Sequence, residues 1–269
     1  MFRLLYIEWL KLKSYNVFTI LSVLYLIALP AILSIGKTVE VSEEYFSNQI
    51  FFMFPNVWQY LGYIGNCLTF FVLGFLAILL ITNEYSYKTL RQNIISGYSR
   101  GQFFQAKLGA IIAISAIATI YYTLVALVYG YTHTETIFTS KILQHADLIP
   151  RYFLMCLSYM SIAMLIALTV RRTGLAIFLY FSYALFIERI LRYAIHFRIV
   201  ENKSIHFYPI NATSDLVPFT TPFNNMAEEF LDKNNFSLFL SPTEAIIATT
   251  LYTLLFLYLS YQLLQKRDL

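Results

Sequence analysis

Few side chains in this chain could do covalent chemistry, and they are poorly spaced for it. Cys67 and Cys156 each sit inside an apolar run, without disulfide or metal-ligand spacing. His133 and His145 are twelve residues apart in a polar stretch with no cysteine near them. Glu43-Glu44 has the paired-acid form of an intramembrane protease site, but no Arg or His accompanies it. The chain carries no G-x-x-x-x-G-K-[ST] phosphate loop and no H-E-x-x-H. The sequence therefore predicts no catalytic residue, no metal site and no cofactor bound by this chain.

Polar groups inside apolar runs are the better candidates: Asn66 and Thr69 in one run, Glu188, Arg189 and Arg192 in another. An amide or a charge in hydrocarbon needs a partner or water. For Asn66 the two readings are a helix–helix hydrogen bond, which is preferred, and a substrate contact. Glu188 and Arg192 stand at i and i+4 and can pair on a helix. Either they guard the mouth of a pathway, or their span ends near Ile187; the first is preferred.

The element that positions these groups must be a membrane bundle. Of 269 residues, 58% are hydrophobic and 13% charged, with a mean hydropathy of +0.62. Soluble domains carry about 25% charged residues. Apolar runs of bilayer length predict six spans, at roughly 17–35, 57–82, 106–131, 152–170, 174–195 and 244–264. The expected fold is an all-α integral membrane protein, one transmembrane domain over 1–269. Residues 1–16 read as an interfacial helix, with Tyr6 and Trp9 at headgroup level and Arg3, Glu8 and Lys11 on the polar arc. A cleavable signal ending at Ser34-Ile35-Gly36 is rejected, because the apolar run from Val17 to Leu33 is long for one. The loop 198–242 is the largest, with a short helix expected over 226–231.

Charge sets the orientation. With both termini inside, the inner segments hold Arg3, Lys11, Lys13, Lys88, Arg91, Arg100, Lys107, Arg171, Arg172, Lys266 and Arg267 against Glu8, Glu84 and Asp268. That excess satisfies the positive-inside rule. The net charge of +4 follows topology and gives no nucleic-acid signature.

One inner stretch stands out, NEYSYKTLRQNIISGYSRGQFFQAK, from Asn83 to Lys107. A helix over 85–95 would put Tyr87, Leu90, Ile94 and Tyr98 on one side. Gly97 breaks it, and Ser99 with Gln102 reads as a capping box for the next helix. Such a ridge suits docking of a cytosolic partner, or an amphipathic connector resting on lipid.

Glu84, Thr89, Arg91, Ser99-Arg100 and Lys107, placed between the second and third spans, resemble the pattern of ABC-2 type permeases, the transmembrane subunits of ATP-driven exporters. The resemblance implies a coupling region, 83–105, that sits in a cleft of a cytosolic ABC ATPase subunit. Glu84, Tyr87, Thr89, Leu90, Arg91, Ile94, Arg100 and Lys107 would form it, and Asn66, Thr69, Glu188 and Arg192 would belong to a pathway or gate. It also implies ATP and Mg in the partner subunit, a second permease copy or paralogue, and an extracytoplasmic cap between spans five and six. The location implied is the inner or plasma membrane of a prokaryote. The alternative is a non-transporting anchor or sensor that recruits a cytosolic protein. With 18% aromatic residues, the composition suits a hydrophobic or amphipathic cargo.

Overall fold

The structure, a computed structural model, describes residues 2–38, 51–136, 138–218, 231 and 236–266. Glu43-Glu44 and most of the helix expected over 226–231 lie outside the described residues. The helices are α1 (Phe2–Lys13), α2 (Asn16–Thr38), α3 (Asn56–Ser86), α4 (Thr89–Ile95) and α5 (Arg100–His133). They continue as α6 (Thr139–Leu143), α7 (Leu148–Val170), α8 (Thr173–Ile199), α9 (Pro209–Ser214) and α10 (Pro242–Lys266). No strand occurs among the described residues.

Six segments are long and apolar enough to cross a membrane: α2, α3, α5, α6 with α7, α8, and α10. Hydrocarbon offers backbone groups no water, so a spanning run satisfies them within its own helix. Hydroxyls in the spans do the same locally. Thr82, Thr119 and Thr253 donate to the carbonyls of Ile78, Ser115 and Thr249, at 2.8–2.9 Å.

α7 is the hub, packing against α3, α5, α8 and α10. α3 and α7 are mostly buried, whereas α2, α8 and α10 leave most of their surface outward. Small residues let the helices close on each other. A Cβ on Gly65 would come within 2.4 Å of the Tyr152 hydroxyl, and Ser115 and Ala118 are buried on the face of α5.

Three stretches widen into π turns, Thr69–Leu73 in α3 and Tyr183–Ile187 and Leu191–His196 in α8. A π turn changes the register of the side chains and disturbs the backbone ladder. At the first, the Phe70 carbonyl accepts from the Tyr180 hydroxyl at 3.1 Å, and Tyr180 stacks on the Phe70 ring. A Cβ on Gly74 would lie 2.4 Å from the same hydroxyl. Tyr180 thus locks α8 onto α3 at that point.

α8 does not end near Ile187; it continues through Glu188 and Arg192 to Ile199. α3 and α5 likewise run past the apolar limits of 57–82 and 106–131, out to the polar stretch between them. Residues 8, 84, 100, 107 and 265 all meet at one end of the bundle, and α9 lies at the other.

Candidate functional site

At the first of these ends the chain builds a buried ion cluster. Lys107 Nζ lies 2.6 Å from Glu8 Oε2 and 2.6 Å from Glu84 Oε1. Lys11 Nζ completes it, 2.8 Å from Glu84 Oε1 and 3.3 Å from Glu8 Oε1. The Thr89 hydroxyl donates to the second Glu84 oxygen. Glu8, Glu84 and Lys107 are buried. Two acids and two ammonium groups balance, as burial of charge demands. Burial alone would lower the Lys11 pKa; the Glu84 hydrogen bond and the charges of Glu8 and Glu84 outweigh it and hold the group above its ordinary value. The polar arc expected to face headgroups is therefore turned partly inward, with Glu8 buried against Lys107 of α5.

The cluster fixes where α4 begins. After α3 ends at Ser86, Lys88 adopts a left-handed conformation with φ 57°, and α4 starts afresh at Thr89. The single helix expected over 85–95 is thus two helices. The break rotates the second, and the ridge changes. Leu90 is 2% exposed and belongs to the core; Ile94 is half-buried against it. Tyr87, Lys88, Arg91, Gln92 and Ile95 face outward, with Ile95 78% exposed. Leu90 and Ile94 as outward groove-fillers are therefore corrected to inward anchors, and the outer apolar residues are Tyr87 and Ile95.

The far side of the stretch is tied down as well. Gly97 takes φ 96°, which a side chain would resist. Ser99 Oγ accepts the Gln102 N–H at 3.1 Å, and Gln102 Oε1 accepts the Ser99 N–H at 2.9 Å, the capping box read from sequence. Arg100 then donates to the Gln265 carbonyl at 2.5 Å, near the end of α10.

At the opposite end, Asn66 donates to Ser214 Oγ at 2.8 Å and accepts from the Tyr159 hydroxyl at 2.7 Å, an interhelical bridge. Thr69 sits deeper, with Tyr25, Tyr152 and Cys156 around its hydroxyl. Glu188 and Arg192 do not take the i, i+4 pairing expected of them, because π turns on either side alter the register. Glu188 instead accepts the amide N–H groups of Ile210 and Asn211, at 3.0 and 2.8 Å. Arg192 donates through Nε to the Ile205 carbonyl at 2.9 Å and lies 3.2 Å from His206 Nδ1. Together they pin the segment 203–214 to α8. A cavity of about 450 Å³ opens beside them, between α3 and α8.

Two titratable groups beside this lock are displaced from their ordinary values. Burial pushes Asp215 up to about 7, opposed by the Leu240 amide, the Arg192 charge and Asn211. Burial pushes His206 down to about 4, reinforced by the Arg192 and Lys203 charges. Neither stood out in the sequence, since both fall in a loop without a motif.

The sequence matches the family described as ABC-2 family transporter protein over residues 4–187, more than half of the chain. The chain belongs to this family. Its members are transmembrane transporter subunits, not catalytic ones. No curated protein matches the sequence. The match takes in α1, the ion cluster, α4 and the α3–α8 lock at Tyr180; Glu188, Arg192 and the segment they pin lie past it.

This ABC-2 transporter does contain one string with the letters of a nucleophile elbow, Gly97-Tyr98-Ser99-Arg100-Gly101. The context is wrong: Ser99 joins two helices, is exposed, and uses its oxygen as an N-cap. Within the ion cluster, the groups missed by sequence reading are Glu8 and Lys11. Their signal was two opposite charges three positions apart on α1, which looked like any solvated face.

Proposed function

We propose that this permease is the membrane subunit of an ATP-driven exporter, moved by a separate cytosolic ATPase that grips the segment around α4. One observation carries this reading. An outward patch of Tyr87, Lys88, Arg91 and Ile95 rides on a segment clamped at both ends, by Glu84 and by Arg100. A surface so held passes a push to the spans rather than absorbing it. Glu84 and Lys107 link the patch to α3 and α5, and Tyr180 links α3 to α8. The cavity between α3 and α8 is then the pathway, with Asn66, Glu188 and Arg192 on its wall; Thr69 is buried one turn deeper on α3, off the wall. ATP and Mg belong to the partner, a second permease copy or paralogue completes the pathway, and both termini face the cytoplasm of a prokaryotic cell, as the inner excess of Lys and Arg favours.

The test is co-purification with an ABC ATPase expressed in the same cells. Ile95→Asp with Arg91→Glu is expected to lose the ATPase while the permease still reaches the membrane. Retention of the ATPase by that variant overturns docking at α4. If the ATPase binds but its hydrolysis never responds to any cargo in reconstituted vesicles, the chain is an anchor or sensor.

A further inference from the structure

The cavity beside α8 has both apolar and charged lining residues. Phe70, Phe71 and Leu185 line its deeper part, toward the middle of the spans. Asn66, Glu188, Arg189 and Arg192 line the part nearer the far end. Most of these polar groups are already engaged. Asn66 bridges Ser214 and Tyr159, Glu188 holds two backbone amides, and Arg192 holds the Ile205 carbonyl. Arg189 is different. It is exposed on a membrane span, lines the cavity, and has no hydrogen-bond or ion-pair partner among the described residues.

The charge sum points the same way. Glu188 offsets one guanidinium, which leaves one positive charge at the cavity wall. Asp215, behind Arg192, titrates near neutrality and neutralises that excess only in part; His206 adds no negative charge. An unmatched cation in a span draws a counter-charge. The wall below it is apolar and aromatic, so the counter-charge should carry an apolar body.

We propose that the cavity receives an amphipathic anion, its acid group paired with Arg189 and its apolar part laid against Phe70, Phe71 and Leu185. This rests on reading the cavity as the permease pathway, and it names the cargo class. The same chemistry could come from a free fatty-acid-like anion or from an acidic lipid headgroup of the bilayer.

Cys67 makes the proposal measurable, because it lies in the cavity wall and is exposed, whereas Cys156 is buried. The full chain is placed in phosphatidylcholine nanodiscs, and Cys67 is alkylated with a membrane-permeant maleimide. Dodecanoate is expected to slow alkylation, and dodecyltrimethylammonium is not. Arg189→Gln should weaken the apparent dodecanoate affinity about tenfold, the size of one lost charge-assisted bond; Arg189→Lys should retain most of it. Nanodiscs containing phosphatidylglycerol, without dodecanoate, identify the source. Protection there assigns the site to a lipid headgroup, and protection by dodecanoate alone assigns it to a diffusible anion; both support the proposal. No protection, equal protection by the cationic surfactant, or unchanged affinity in Arg189→Gln overturns it. So does bis-maleimide joining of two chains through Cys67 that dodecanoate fails to compete, which gives the face to a second copy. An unprotected Cys67 in a chain that still binds its ATPase removes the anion and leaves the permease reading standing. Protection in a chain that binds no ATPase keeps the anion site and removes the coupling.

Discussion

Lys107 and Glu8 meet at 2.6 Å although they stand 99 positions apart. The contact joins the first turns of α5 to α1, and Glu84 shares the same ammonium group at 2.6 Å. Removing one member of a buried ion pair strands the other charge, which costs about 3–5 kcal/mol. Lys107→Met is therefore expected to lower stability by that amount, read as the unfolding midpoint in detergent. Adding Glu8→Gln to Lys107→Met should cost less than the two single changes summed, by about 0.5–3 kcal/mol. Strict additivity would mean the two residues do not interact.

Leu90 and Ile95 should separate folding from docking. Leu90→Asp places a charge in the core and is expected to lower stability by several kcal/mol, roughly the cost of an unpaired buried charge. Ile95→Asp changes an exposed position and should leave the unfolding midpoint within about 0.5 kcal/mol of the parent, while weakening ATPase capture. Equal loss of stability in both variants would contradict the placement of α4.

Gly74 and Tyr180 give a third case. The added Cβ of Gly74→Ala would meet the Tyr180 hydroxyl at 2.4 Å and its ring carbons at 2.6 and 2.8 Å. Overpacking of this kind costs about 1–3 kcal/mol. Tyr180→Phe should not relieve it, because the ring remains; Tyr180→Leu should relieve part of it. Tyr180→Phe alone is expected to cost about 1 kcal/mol, the worth of its hydrogen bond to the Phe70 carbonyl.

Asp215 and His206 should pull stability in opposite directions with pH. The Asp215 carboxyl titrates at about 7 in the folded chain, above its ordinary value of 3.8. Its contribution is whole below 3.8 and is lost as pH rises toward 7. His206 titrates at about 4, below its ordinary 6.5, so its contribution is whole above 6.5 and is lost as pH falls toward 4. Asp215→Asn should leave stability rising with pH between about 4 and 6.5, and His206→Asn should leave it falling across that window. Thermal midpoints from pH 4.5 to 7.5 would show it; parallel profiles in the two variants would refute it.

The spans were legible because hydrocarbon forces an unmistakable composition on any run that crosses it. The Ser99–Gln102 capping box was legible because its spacing is local and its geometry narrow. The outward face of α4 was not. Its phase depends on the left-handed turn at Lys88, a residue type that seldom adopts φ near 57°, and nothing in the letters marks the break. The partners of Glu188 and Arg192 were hidden for a related reason. Their helical spacing invited a pair, but π turns shifted it, and a segment 13 to 23 residues downstream supplied the partners. The ion cluster needed three helices to meet, and no local pattern reports that.

The Arg100 contact with the Gln265 carbonyl means that the polar turn after α3 is buckled to the first helix on one side and the last on the other. The first and last of the described helices are thereby held to one short polar turn, so neither can shift without straining it.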